Sequence, residues 1–487
     1  MKLTARPFLL LYLLLLIPLA SAPVFAADAY PEHVYIPLAI NGTGAAPSAR
    51  TVNAPYLNDP AITQNRFSEM AISWFGELTL DKSFTDMRVA YNDTELVVYL
   101  AVYDRIIAYD PNSSVGADLT QWDTAALSLV TDSGVYSKPG ANAYRFLVEV
   151  RWFEGQNNPK YQATYRGSGS GWSAQAIPFA NYYGYMGTVP GDALEDKGWA
   201  VSFSIPYSSL GLSKPADGTT WRMHLEVFNR NSQAGPALGS QTWPETGSAA
   251  NPSTWGNLRF GLPTYTPPAL NGAQTVTVRS GLPGSVVKDV AVGGGAECGG
   301  AAYPDYFAEW GLLNYNGQGN VNIQNQGNIS DWPCYSRYYV TFSLPSVPAG
   351  KILRSARLSL THMGGSDPTH AVPSWIQVLT VNEDWTESSA NWNNTPLARE
   401  NLGGILIPVY DPNWGDPAIW TKLPRREWDV SLAVLDAYTR GVPLRLALYS
   451  ADKGADGMHT GKYFVSNDTG DWNAANRPTL VIEYVNP

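Results

Sequence analysis

Residues able to do chemistry are plentiful in this chain, but few stand at the spacings chemistry demands. The five histidines, at 33, 224, 362, 370 and 459, form no His-Glu-x-x-His pattern, and no cysteine pair accompanies them. Catalytic zinc is therefore not expected. Hard oxygen ligands on glycine-turned loops suit calcium better. Two acidic loops qualify. One carries Asp110, Asn112, Asp118 and Asp123; the other runs from Asp452 through Asp456 to Gly457. The second lacks the remaining carboxylates and a bidentate Glu, and a solvated turn is the competing reading for both. Calcium, where bound, would be structural, and no cofactor is required. Glycoside hydrolysis needs two carboxylates facing across a cleft, one with a raised pKa. No catalytic motif supplies that pair. Glu226, on a strand inside an apolar stretch, stands out as a buried acid, although such a residue more often serves as hydrogen-bonded structure. Gly167-Ser168-Gly169-Ser170-Gly171 is a glycine-serine loop without the strand-to-helix context of a nucleophile elbow.

What the chain does offer is aromatic surface. It has 17 Trp and 28 Tyr, and aromatics make up 12% of its residues. The C–H face of a sugar is apolar and packs on a flat ring, while its hydroxyls need well-placed polar partners. Trp122, Trp152, Trp172 and Trp243 sit near polar loops and are the sugar-stacking candidates. Trp74, Trp199 and Trp221 are assigned to packing, which is the commoner fate of a tryptophan in a β-sandwich.

The elements that must position these rings are strands. Apolar content is 44% and charged content 15%, a balance opposite to that of disordered chains. With 44 Gly and 36 Pro, many short strands joined by turns are expected. The clearest hairpin is Arg88–Tyr91, a turn at Asn92-Asp93, then Leu96–Tyr103. Further strands are predicted over 124–130, 143–152, 199–205, 222–228 and 257–260. In the second half they are predicted over 274–278, 337–343, 356–361, 375–381, 444–449 and 479–484, with one or two helical turns over 431–438.

Length, 487 residues, calls for two domains or more. Residues 1–26 read as a secretory signal. Lys2 and Arg6 give the positive start, Phe8 to Leu19 the apolar stretch, and Val24-Phe25-Ala26 the cleavage pattern. A lead-in over 27–50 and a first domain over 51–261 follow. Pro267-Pro268 lies in a proline-rich linker over 262–271, and a second domain occupies 272–487. In an exported protein Cys298 and Cys334 are expected to form a disulfide.

Four segments of the first domain resemble the family 9 carbohydrate-binding module. They are Val89–Leu96 with Tyr103-Asp104, Asp123–Val130, Gly198–Leu210, and Asn251–Arg259. The resemblance implies a β-sandwich, calcium in structural loops in many members, and a sugar held between two tryptophans. One clamp position maps to Trp122. The other falls on Ala249, and Ser202 replaces one of the usual strand glutamates, so the fold carries over better than the clamp. The second domain resembles the DNRLRE-type domain, itself classed with a carbohydrate-binding module family. Tyr338–Leu360, Asp384–Pro396, Glu427–Gly441 and the segment from Tyr463 through Leu480 carry that likeness. It implies a jelly-roll-like sandwich on a secreted or surface protein.

The fold class expected is thus all-β, two jelly-roll-like sandwiches after a signal peptide. The function expected is non-catalytic recognition of a polysaccharide or cell-wall glycan, outside the cell or at its surface. A polysaccharide-degrading enzyme and a structural surface-layer or adhesion protein are the alternatives, and haem binding is a weaker one. Net charge is −10, with no basic stripe, which argues against nucleic acid. No second apolar run of spanning length follows the signal, so no membrane insertion is expected after cleavage.

Overall fold

The computed structural model describes residues 49–487, except 153, 189, 193, 267–270, 295–305, 326–333, 367–368, 370, 451, 453–460 and 487. Residues 1–26, expected to be a signal, nearly all of the expected lead-in, Pro267-Pro268, Cys298 and Asp456 lie outside the described residues.

The predicted hairpin forms from Phe84–Tyr91 and Glu95–Tyr103, antiparallel, with Tyr91 opposite Leu96. Its turn is fixed by Asn92, whose Oδ1 accepts from the backbone N–H of Thr94 (2.8 Å) and Glu95 (2.9 Å). These strands are central in a five-stranded sheet ordered Ala71–Gly76, Phe84–Tyr91, Glu95–Tyr103, Gly198–Pro206 and Ala180–Met186. Both faces of that sheet are covered. Met87, Val89 and Tyr91 point into the core of the first half, with Leu127, Phe146 and Leu225. Phe84, Trp74 and Tyr103 point the other way and pack with Tyr339, Trp392 and Tyr449 of the second half. Burial on two sides explains the unbroken apolar run Leu96–Tyr103, which a one-sided sheet would interrupt with polar residues.

The opposing sheets of the two halves are continuous. The second half contributes Val287–Gly293, Ser336–Phe342, Leu444–Ser450, Ser374–Val381 and Ala398–Ile407. The first half contributes Gly256–Phe260, Thr220–Phe228, Thr124–Val130, Ala143–Glu149, Gln162–Gly167 and Trp172–Ala174. Thr51–Ala54 lies between them, parallel to Gly256–Phe260 on one side and touching Glu400 on the other. Asn53 seals this seam. Its N–H donates to Asn401 Oδ1 (2.8 Å), its Nδ2 to the Asn401 carbonyl (2.6 Å), and Asn401 Nδ2 donates back to its carbonyl (2.9 Å). The two sandwiches therefore share a sheet and a core. Tyr265, within the expected linker, donates to the Leu353 carbonyl at 2.7 Å.

A buried polar knot crosses the same boundary. Asp86 accepts from Tyr449 Oη (3.0 Å) and Asn325 Nδ2 (3.1 Å). Burial pushes its carboxyl up, against the pull of Arg88 and Arg337. The Arg337 guanidinium lies 3.8 Å from the ring centre of Trp392 and 4.5 Å from that of Trp74.

The remaining sheet covers the other face of the second half. Its order is Gln274–Val278, Thr479–Val485, Ile352–Gly365, Lys462–Val465 and Asn320–Ile323, and Arg425–Asp429 also pairs with Ile352–Gly365. The helical turns predicted over 431–438 are the helix Ser431–Arg440, which ends at Gly441 in a left-handed conformation, φ 65°.

Candidate functional site

The site follows from a register. In the strand Ile352–Gly365, Leu358 is flanked by Trp428 on one side and Leu480 on the other. Thr361 pairs with Arg425, and Ser359 with Thr479. The loops that precede these two partner strands therefore emerge at the same end of the sheet. One carries Trp414 and Trp420, the other Trp472.

The three rings meet there. Trp414 and Trp420 have centroids 5.4 Å apart at 56°, and Trp420 and Trp472 lie 5.0 Å apart at 85°. Trp420 is half-buried between two exposed partners; Trp472 is 71% exposed and Trp414 50%. Contiguous exposed indole is costly in water and marks a contact surface. Short turns hold it still. Asp416 Oδ1 accepts from the N–H of Ala418 (2.9 Å), ahead of Trp420. Asn476 Nδ2 donates to the Trp420 carbonyl (2.8 Å) and to Asn473 Oδ1 (2.7 Å), tying the two loops together. Arg477 fixes the turn of Trp472 through Asp471 Oδ1 (2.8 Å) and the Thr469 carbonyl (2.7 Å). Arg279 and Arg425 both donate to the Ala475 carbonyl. The result is a bent aromatic ledge fringed by charged and amide groups, able to take an apolar ring face and to hydrogen-bond the hydroxyls around it.

The four tryptophans expected to stack do not form such a surface. Trp243 is corrected to a core residue: at 1% exposure it belongs to the main apolar cluster of the first half and has no face for a ligand. Trp122 has the Arg230 guanidinium 4.0 Å from its ring centre, so one face is capped. Trp172 stacks on Trp255 (6.3 Å, 7°) and donates to the Ala249 carbonyl at 3.1 Å. Trp152 is 37% exposed, and its carbonyl accepts from Tyr183 Oη at 2.9 Å. Thr124 pairs with Glu149, and Val130 with Ala143. Trp122 and Trp152 therefore leave one end of this strand pair, while Trp172 sits at the other, about 20 Å away. Trp74, Trp199 and Trp221 are buried, as expected.

The acidic residues go to backbone partners. Asp123 accepts from the N–H of Ala108 (2.6 Å) and Arg230 (2.7 Å), Asp110 from Asn112 (2.9 Å), and Asp118 from Thr120 (3.1 Å). Asp452 accepts from Trp375 N–H (3.0 Å). Among the described residues, no three Asp, Glu, His or Cys side chains converge on a metal-sized site. Glu226 pairs with Arg145 at 2.6 Å, which is structural service. Cys334 is buried.

Carboxylates do face one another across a cleft between the halves, where Glu245 and Glu383 both reach Arg50. Burial works to raise Glu245, yet its hydrogen bonds to Arg50 and the guanidinium charge prevail and hold it below the usual range. A general acid for glycoside cleavage needs the opposite shift.

Sequence reasoning passed over Trp414, Trp420 and Trp472. The signal was present: Asn413-Trp414-Gly415-Asp416 and Asp471-Trp472-Asn473 place indoles in turn-forming polar runs.

Residues 312–483 match carbohydrate-binding module family 96. All three ring-bearing turns fall within that span. The chain is also similar to a family 9 carbohydrate-binding module from Caldicellulosiruptor kristjanssonii solved with cellotriose. Identity is 16%, covering 43% of this chain and 93% of that one, with a TM-score of 0.31. The same organism's module solved with glucose gives 14% identity, 45% and 100% coverage, and a TM-score of 0.30. No curated protein matches the chain.

Proposed function

We propose that this chain is an exported, non-catalytic glycan-binding protein that holds polysaccharide on the Trp414–Trp420–Trp472 ledge. The observation that carries the reading is an exposed, loop-braced aromatic cluster inside the span matching a carbohydrate-binding module family. The DNRLRE-type likeness falls on the same half. Export is read from residues 1–26, and a Cys298–Cys334 disulfide would accord with it. Calcium is assigned no part in recognition.

Retention of the full chain on a panel of insoluble polysaccharides, including cell-wall preparations, tests the reading. At least one should retain the wild type, and Trp472→Ala should elute early from that matrix with its fold intact. A well-folded wild type that passes every matrix unretarded would leave scaffold as the function.

A further inference from the structure

The polar knot in the seam does not balance its charges. Arg88 and Arg337 are fully buried, and both act on one buried carboxylate, Asp86. Among the described residues Asp86 forms no ion pair with either. Its Oδ2 accepts from Tyr449 and Asn325, and its Oδ1 has no hydrogen-bond partner. Two guanidiniums thus face one carboxylate, and burial pushes that carboxyl toward its neutral form. The knot therefore carries an excess of positive charge away from water.

The donors are as unbalanced as the charges. Arg88 lies against Phe67, whose ring centre is 4.5 Å from its guanidinium, and is flanked in the sheet by Ile72 and Tyr99. A ring face covers the plane of a guanidinium but takes none of its five N–H groups, which lie in that plane. Among the described residues, Nε, Nη1 and Nη2 of Arg88 all lack a hydrogen-bond partner. So do Nε and Nη1 of Arg337, and Nε1 of Trp74, which pairs with Asp86 across the ladder. Arg151 shows what the chain does elsewhere. It is equally buried, yet its three nitrogens donate to Gly155 O (3.1 Å), Glu149 O (3.2 Å) and Asn181 Oδ1 (3.2 Å). A buried charge left unpaired is among the costliest defects a fold can carry. Water would occupy the free N–H groups and leave the charge; an anion answers both.

We infer that the knot is a halide site, with a chloride ion held on the N–H groups of Arg88. With Asp86 ionised, one chloride brings the two guanidiniums to neutrality. A monatomic ion fits the surroundings: Arg88 has no exposed surface and an aromatic ring on one face, whereas a tetrahedral oxyanion needs donors on several sides. The ion is structural, part of what joins the halves. It does not depend on the tryptophan ledge and would stand if the ledge bound nothing.

Crystals of the full chain soaked in sodium bromide, measured at the bromine absorption edge, test the site directly. An anomalous peak within hydrogen-bond reach of the Arg88 guanidinium is expected. Thermal melting of wild type and Arg88→Met in sodium chloride, bromide and gluconate at equal ionic strength gives a second reading. Wild-type midpoints should climb with chloride or bromide and level off, as saturable binding to the folded state requires, and should not climb so in gluconate. Arg88→Met should show no halide-specific climb. Bromide peaks confined to the surface, which would mean an adventitious ion only, overturn the inference. So does density at Arg88 without anomalous signal, or a halide-specific climb that survives in Arg88→Met. Should that variant fail to fold, the bromide map of the wild type decides alone.

Discussion

The two halves use tryptophan in opposite ways. In the first, most indoles are interred, as at Trp74, Trp199, Trp221 and Trp243, or have another side chain on a face, as at Trp122 and Trp172; Trp152, 37% exposed, stands apart from the others. In the second, Trp385, Trp392 and Trp428 are buried, but Trp414, Trp420 and Trp472 leave the sheet on braced turns and present their faces outward. An aromatic-rich composition is thus two populations, one packed into the cores and one presented to solvent. The family match over 312–483 falls on the half that offers them.

The comparison breaks most visibly through stability. Trp243→Ala removes a fully buried indole and should cost about 3–5 kcal/mol, read as a lowered denaturation midpoint. Asp86→Ala should cost a similar 3–5 kcal/mol, because it leaves Arg88 and Arg337 buried without their carboxylate. Both should act on the whole described body: halves that share a sheet and a core unfold in one calorimetric transition, and two separated transitions would contradict the shared core. Trp472→Ala should leave the midpoint within about 0.5 kcal/mol of wild type, as surface changes do, but weaken polysaccharide binding by about 2 kcal/mol, roughly thirtyfold.

A smaller effect is expected from pH. Burial raises Asp104 to about 7, Glu149 to about 8 and Asp289 to about 7. Carboxyls unfolded titrate near 4, so the folded chain holds more protons between about 4 and 8. Their contribution is complete at acid pH and is lost as pH climbs through 7 to 8. His224 and His362, held to about 3 by burial, oppose this only below about 6.5, where the unfolded imidazole takes up a proton. Thermal midpoints should therefore fall from pH 6.5 to pH 8.5. A midpoint that rises across that interval would refute the assignment.

Much of the fold was legible because its signals are local. The hairpin at Asn92 announces itself by a turn between β-branched and aromatic runs, while of the helix Ser431–Arg440 only one or two turns over 431–438 were read. The fusion of the halves was not legible. It rests on Thr51–Ala54, four residues whose parallel partners lie some 200 and 350 positions away and leave no mark on nearby sequence. The site suffered likewise. Trp243 and Trp472 both sit in polar neighbourhoods of the chain. What buries one and displays the other is which distant strands arrive beside it.

Binding of the retained polysaccharide to two variants side by side tests the central claim most directly. One is the Trp414→Ala/Trp472→Ala double variant, the other the Trp122→Ala/Trp152→Ala/Trp172→Ala triple. The double should lose at least about thirtyfold in affinity while the triple stays within about twofold of wild type. The reverse pattern, with the triple impaired and the double intact, would move recognition to the first half and contradict the account.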